Sequence, residues 1–322
     1  LTDDLVGNGL VMSGRPRRPM LRRLVTLALC AVVAYVVLLQ IVGHDADPLP
    51  VLARADAVWL APALLASAAG SVGATFAVVG FVPERVSFRG ALLAQLSGFF
   101  VNLATPSGLG SAAVNTRFLA RSGIPQTQAL ASVALGQIAG LVLHLLLIVG
   151  FGAYVGADYA ASLPTGTTLL VIGAVLAAVV AGGVGVPRLR RWLVARLREA
   201  GPRFGQLLHQ PGKLTVGILG QLAVTLMAAV CLYCCARAFG QGPGFAEVTL
   251  AQLIGSTVGS AVPVPGGIGS VDTALAVALR VTTGTPTATW VPVVLVYRLC
   301  TFWLPLLPGW LAFLWLQRRE AI

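Results

Sequence analysis

The chain has 322 residues, 57% of them hydrophobic and 10% charged, with a mean hydropathy of +0.87. Soluble globular chains carry about 25% charged residues, so composition excludes a cytosolic enzyme, a disordered protein and a disulfide-stapled secreted domain. Twenty-two Lys and Arg against 11 Asp and Glu leave a formal charge of +11. In a membrane protein that excess belongs to orienting loops and anionic lipid headgroups rather than to nucleic acid.

About 20 apolar residues cross the roughly 30 Å of hydrocarbon in a bilayer. In chain order, a basic tail over 1–23 precedes a first span at 24–43, whose apolar stretch is too long for a signal peptide. Further full spans are expected at 57–80, 126–152, 167–186 and 214–236, with a last apolar run at 286–316. Pro305 and Pro308 should bend that run or divide it in two. Residues 317–322 form a short tail, and 187–213 is a basic loop with Leu189, Trp192, Leu193 and Leu197 on one interfacial face.

Two apolar segments are too short to cross. Residues 91–104 end at Thr105-Pro106-Ser107-Gly108-Leu109-Gly110, and 248–262 end at Pro263-Val264-Pro265-Gly266-Gly267-Ile268-Gly269. Proline removes a donor and glycine permits positive φ, so helices should break there and resume at 111–121 and 271–280. Irregular backbone at membrane depth must be buried in protein or line a cavity. We therefore read 90–122 and 247–282 as re-entrant hairpins. With both termini cytoplasmic, this topology leaves Arg54, Arg237 and Arg280 on the outer side and, apart from Arg298 within a span, the other basic residues inside, as the positive-inside rule requires.

The two segments also match each other. Leu93-Ala94-Gln95-Leu96-Ser97-Gly98 pairs with Leu250-Ala251-Gln252-Leu253-Ile254-Gly255 at an offset of 157, and Pro106 pairs with Pro263. Three spans lie between them, so the copies enter from opposite faces. The expected fold is an all-α polytopic membrane protein of about six full spans, with two re-entrant hairpins in an inverted-topology repeat. Broken helices at matching places in such a repeat point to a transporter's binding site.

Arg298 lies within the last apolar run, where an ionisable group costs at least about 2.5 kcal/mol and needs a partner. Asp272 is the nearest counter-charge. Two roles fit Arg298: a structural pair with Asp272, or a donor fork for lipid phosphate. Arg117 either snorkels to the interface or meets an anionic headgroup. Asn115, Gln95, Gln252 and Gln137 are polar residues on apolar helices and should face the interior. Gly108, Gly110, Gly266, Gly267 and Gly269 let backbone approach a ligand, with amides at helix N-termini suited to anions. Glu247 reads as interfacial.

No cofactor motif is present: the glycine loops lack both the βαβ setting and the Gly-Lys-Ser/Thr of a phosphate loop. Cys231, Cys234 and Cys235 share a helical face without His or carboxylate and read as small hydrophobes. Metal-ligand spacing is absent. Ser111 and His144 suggest an intramembrane hydrolase only weakly, because no third orienting group accompanies them.

The stretches PVPGGIGSVDTALAVAL and VYRLCTFWLPLLPGWLAF, with NLATPSGLGSAAVNTRFLARSGIPQTQALASVA more loosely, resemble the flippase-like transmembrane domain of lysylphosphatidylglycerol synthases. The resemblance runs over about 24–316 and implies a lipid transporter without ATP-binding parts. It also places Asp272 where the family has glutamate, and Arg298 at the family's arginine. The aminoacyl-transferase part of full synthases has no counterpart here, so the expectation is a stand-alone domain that is not an enzyme.

The expected activity is translocation of an anionic phospholipid or polyprenyl-phosphate-linked glycolipid between leaflets of the bacterial plasma membrane. Arg298, Asp272 and Arg117 would meet the headgroup. The alternative is an accessory subunit that positions a glycosyltransferase or lipid synthase at the membrane.

Overall fold

The computed structural model describes residues 55–103, 105, 109–159, 204–262, 264, 266–319 and 322, without the side chains of 157–159. The expected spans at 24–43 and 167–186, the basic tail, most of the 187–213 loop and Gly108 lie outside the described residues.

Helices joined by short turns and loops make up the described residues, with no strand among them. Helix α1 spans Ala57–Gly80 and begins where the Asp56 carboxylate accepts the Val58 amide at 2.9 Å. Helix α2, Phe88–Asn102, begins with Ser87 Oγ accepting from Gly90 N. Then follow α3, Leu109–Arg121, and α4, Gln126–Tyr159. The second part of the chain contains α5, Pro211–Ala238; α6, Phe245–Ala261; and α7, Ser270–Thr283. Helix α8, Thr287–Arg298, runs through a π-helical turn, Leu299–Trp303, into α9, Leu304–Arg318.

Among the described residues, four stretches are long and apolar enough to cross a membrane: α1, Gln126–Gly156 of α4, α5, and Thr287–Arg318. The last proline-rich run is therefore one interrupted helix rather than two pieces. Its π turn leaves one carbonyl without a donor from its own helix. Pro305 has no N–H, and in the widened register, with Leu304 N bonding Leu299 O, it would have been the donor for the Cys300 carbonyl. Ser67 Oγ from α1 donates to that carbonyl instead, at 2.8 Å.

Helices α2, α3, α6 and α7 have 13 to 17 residues, about 20–26 Å at 1.5 Å per residue, short of a full crossing. They pack as two antiparallel pairs. In the first, Gly90 lies against Phe118 at the base and Asn102 bonds Ser111 at the tip. In the second, Gly255 lies against Leu275 and Gly259 against Val271. Each pair leans on the long helix of the other part of the chain. Phe100 of α2 meets Phe313 of α9, with ring centroids 5.5 Å apart. His144 of α4 lies between the Leu253 carbonyl and Thr257 Oγ1 of α6 at 3.1 and 2.9 Å.

Helices α1 and α5 form a full-length antiparallel seam. Asp56 N donates to Ala238 O at one end, Gly70 faces Met227 near the middle, and a Cβ on Gly80 would overlap the Gly217 backbone near the other. Beyond that point Lys213 Nζ donates to the carbonyls of Val82, Pro83 and Glu84 at 2.6–2.8 Å, closing the C-terminal end of α1. Small residues permit this close approach, as is usual where helices pack in lipid. Cys231, Cys234, Cys235 and Cys300 are free and buried in the apolar cluster beside the seam.

Candidate functional site

The first hairpin walls a cavity of about 280 Å³ together with α1, α4 and α5. Its polar lining comes from Gln95 and Asn102 of α2, Ser111 and Asn115 of α3, Ser132 and Gln137 of α4, and Gln221 of α5. The helices position these groups by side-chain bonds. Asn115 Nδ2 donates to Gln95 Oε1 at 2.7 Å, joining the two arms. Asn102 closes the tip as a two-point clamp, its Oδ1 accepting from Ser111 N at 2.8 Å and its Nδ2 donating to Ser111 Oγ at 2.6 Å. Gln221 Nε2 donates to Gly136 O, holding α5 to α4. Gly110 must be glycine here, because a Cβ would press on Thr105 Oγ1 at 2.5 Å and on Asn102 N at 2.8 Å.

The next faces of α3 border a groove of about 630 Å³ against α4, lined by alanines, Thr116, Gln126, Leu130, Arg117 and Arg121. The two arginines are one helical turn apart and exposed, and neither has an acidic partner among the described residues.

The second hairpin is organised by charge. Arg298 Nε pairs with Asp272 Oδ1 at 2.8 Å, and Nη2 donates to Gly266 O at 2.9 Å. The guanidinium lies 4.4 Å from the Phe302 ring centroid. Asp272 Oδ2 also accepts from Gly269 N at 2.8 Å, capping α7 from its third position. The aspartate therefore reaches Arg298 despite being one methylene shorter than glutamate. Gly266, Gly267 and Gly269 all have positive φ, near 60–80°, which lets the loop fold back under Arg298. Their polar groups are largely used inside the protein, since Gly267 N donates to Val264 O and Gly269 N to Asp272. Nη1 of Arg298 has no partner among the described residues, and the side chain is 12% exposed.

Among the sequence-predicted residues, Gln95, Asn115 and Gln137 come together in the first cavity, and Arg117 lines the neighbouring groove. Arg298, Asp272, Gly266 and Gly269 meet in the second hairpin. Gln252 is buried in α6 beside Tyr297, with its Oε1 unbonded. Glu247 accepts from Gly244 N at the start of α6. Ser111 and His144 have separate partners, Asn102 for one and α6 for the other. Sequence reasoning missed Asn102, Ser132, Gln221 and Arg121. Gln221 carried the same signal as Gln95, a lone amide in an apolar run. Arg121 sits one turn beyond Arg117.

The family model described as the lysylphosphatidylglycerol synthase TM region matches residues 23–309, which include every site residue above. No curated protein matches the chain.

Proposed function

We propose that this chain, which belongs to the lysylphosphatidylglycerol synthase transmembrane-region family, moves the headgroup of an anionic lipid between the leaflets of a bacterial plasma membrane. The family itself ties the chain to membrane lipid synthesis or translocation. The lipid is an anionic phospholipid or a lipid-linked glycan.

The observation that carries this reading is the Arg117–Arg121 groove. Two cations a turn apart, without acidic partners among the described residues, stand over a trough otherwise lined mainly by small and apolar side chains. A phosphate takes bidentate bonds from such a pair, while the trough suits the apolar stem beside it. At about 630 Å³ the groove falls within the roughly 300–1,000 Å³ of small-molecule sites.

In this reading the two hairpins are re-entrant and related as an inverted repeat. Supporting it, α1 to α4 correspond in order to α5, α6, α7 and the α8–α9 span. The offset is 157 at Gln95/Gln252 and grows to 161 at Gly123-Ile124-Pro125/Gly284-Thr285-Pro286. Gly70 and Met227, themselves 157 apart, touch at the middle of the α1–α5 seam. A pseudo-two-fold axis through that seam accounts for the contact, and for each hairpin leaning on the other half's long helix. Asp272 and Arg298 then keep the second loop shaped, and Nη1 of Arg298 is the donor left for a passing headgroup.

Reconstitution into vesicles with fluorescent phosphatidylglycerol, phosphatidic acid and phosphatidylserine tests the reading. Leaflet exchange faster than in empty vesicles is expected for at least one of them. With Arg117→Gln/Arg121→Gln it should fall about tenfold or more, in line with about 1.5–3 kcal/mol for hydrogen bonds to charged groups. Exchange unchanged across the whole panel overturns it.

A further inference from the structure

We infer that His144 is a proton-binding site: its Nδ1 takes up a proton from water and thereby loosens the hold of α4 on the second hairpin. The site stands on its own geometry, whereas its place in lipid movement rests on the flippase reading.

The bonds fix which ring nitrogen is free. Nε2 lies 3.1 Å from the Leu253 carbonyl and 2.9 Å from Thr257 Oγ1. A carbonyl only accepts, so Nε2 carries the hydrogen. Thr257 Oγ1 gives its own hydrogen to Leu253 O at 2.8 Å, which leaves its lone pairs for Nε2. Nδ1 is then the lone-pair nitrogen of a neutral ring. It has no partner among the described residues, and the side chain is only half-buried. A proton added there gives an imidazolium without breaking either bond; what changes is the charge.

Among the described residues, that charge has nothing to pair with. Helix α4 packs on α6, α3, α5 and α1. On α6, Glu247 accepts from Gly244 N at the helix start, and on α3, Arg117 and Arg121 lie at the Gln126 end of α4. On α5, Lys213 bonds the carbonyls beyond α1, Arg237 bonds Tyr233, and the cysteines join the apolar cluster around Val248 and Ala251. Helix α1 has no charged residue, and α4 itself carries only Tyr154, Asp158 and Tyr159, further along. An unpaired charge in an apolar contact is costly, and the Leu253 bond offsets only part of that cost. Proton uptake therefore favours turning the ring to water and parting α4 from α6.

The route from the first cavity is short. Gln221, one of its walls, bonds Gly136 and lies against Gly140, one turn before His144 on the same face of α4. Nor does the fold require an imidazole at this crossing. Leu96 matches Leu253 in the internal repeat and meets α9 through Gly309, where a Cβ would stand 2.6 Å from the Leu96 carbonyl. Glycine makes that crossing. Beside the matching carbonyl of α6, α4 instead places the side chain that exchanges protons near neutral pH.

The chain has three histidines, so the full chain with His44→Gln and His209→Gln reports on His144 alone. Nitrogen-15 NMR of the labelled ring in lipid nanodiscs, from roughly pH 9 down to pH 4, is the first test. The Nε2–H tautomer is expected at the upper end, with reversible conversion to the doubly protonated ring on the way down. An Nδ1–H tautomer, or a ring that stays neutral throughout, overturns the inference. The second test is hydrogen exchange in α6, with His144→Gln as reference at each pH, since glutamine keeps a donor for Leu253 but takes no proton. Exchange in the parent chain should be about threefold or more faster than in His144→Gln at about pH 5 and equal to it at about pH 8. Equal exchange at both overturns the inference and leaves His144 a structural pin. Leaflet exchange under an imposed pH gradient separates the two readings. A ring that titrates and frees α6 while no lipid moves keeps this inference and loses the flippase reading. Lipid movement with a ring that never titrates does the reverse.

Discussion

The two hairpins have the same plan and opposite chemistry. In the first, amides and hydroxyls bridge the arms and surround a cavity. In the second, an ion pair, a carbonyl and an aromatic face enclose one guanidinium from three directions. Gln137 stands where the second half has Arg298, at the offset of 161, and Ala113 where it has Asp272, at 159. A charge inside an apolar body must be paired, and the pairing fixes the loop. Neutral amides need no counter-charge and can line a cavity without one. Strong electrostatics thus mark the hairpin whose loop is pinned by an ion pair, and the mild polar residues the one that surrounds a cavity.

The largest expected effect tests the rigid half. Asp272→Ala strands Arg298 and uncaps α7, and should cost about 3 kcal/mol, the low end for a broken buried pair, since Asp272 is a quarter exposed. Thermal unfolding in detergent reads it. Arg298→Lys should recover only part of the loss in the matching Arg298→Ala variant, because an ammonium lacks the planar fork that reaches Asp272 and Gly266 together. Full recovery would break the contrast.

Next come the loops. Gly266→Ala meets positive φ and the Phe302 ring at 2.8 Å, and should destabilise by about 1–3 kcal/mol. Gly110→Ala meets only crowding at the first tip, and should cost about 1–2 kcal/mol in the same measurement. If Gly110→Ala proves the more damaging, the first hairpin is not the more tolerant one. Smallest is Asn102→Ala, which removes the two-point clamp on Ser111. It should cost about 1 kcal/mol of stability and appear as faster hydrogen exchange at the start of α3.

Much of this was legible in the residue order. Proline and glycine cluster just beyond 91–104 and 248–262, and helices end at such clusters, so both hairpins could be read locally. The Asp272–Arg298 pair could be read too, because a lone charge in an apolar run demands an opposite one. The cavity could not be read whole. Ser132 reaches it from the next helix, and Gln221 from a helix far along the chain, where it bonds Gly136. The π turn was half legible: Pro305 announced a disturbed helix, but the donor that repairs it, Ser67, lies 233 residues away.

The seam between α1 and α5 has a mechanical corollary. Toward the Lys213 end the backbones meet through Gly80 and Gly217, toward the Asp56 end the Trp59 and Tyr233 rings pack edge to face, and the central Gly70–Met227 contact divides the seam into these two arms. Rocking one helix on the other about that point parts them at the Lys213 end while pressing them together at the Asp56 end. A fulcrum of this kind cannot part both ends of the seam at once.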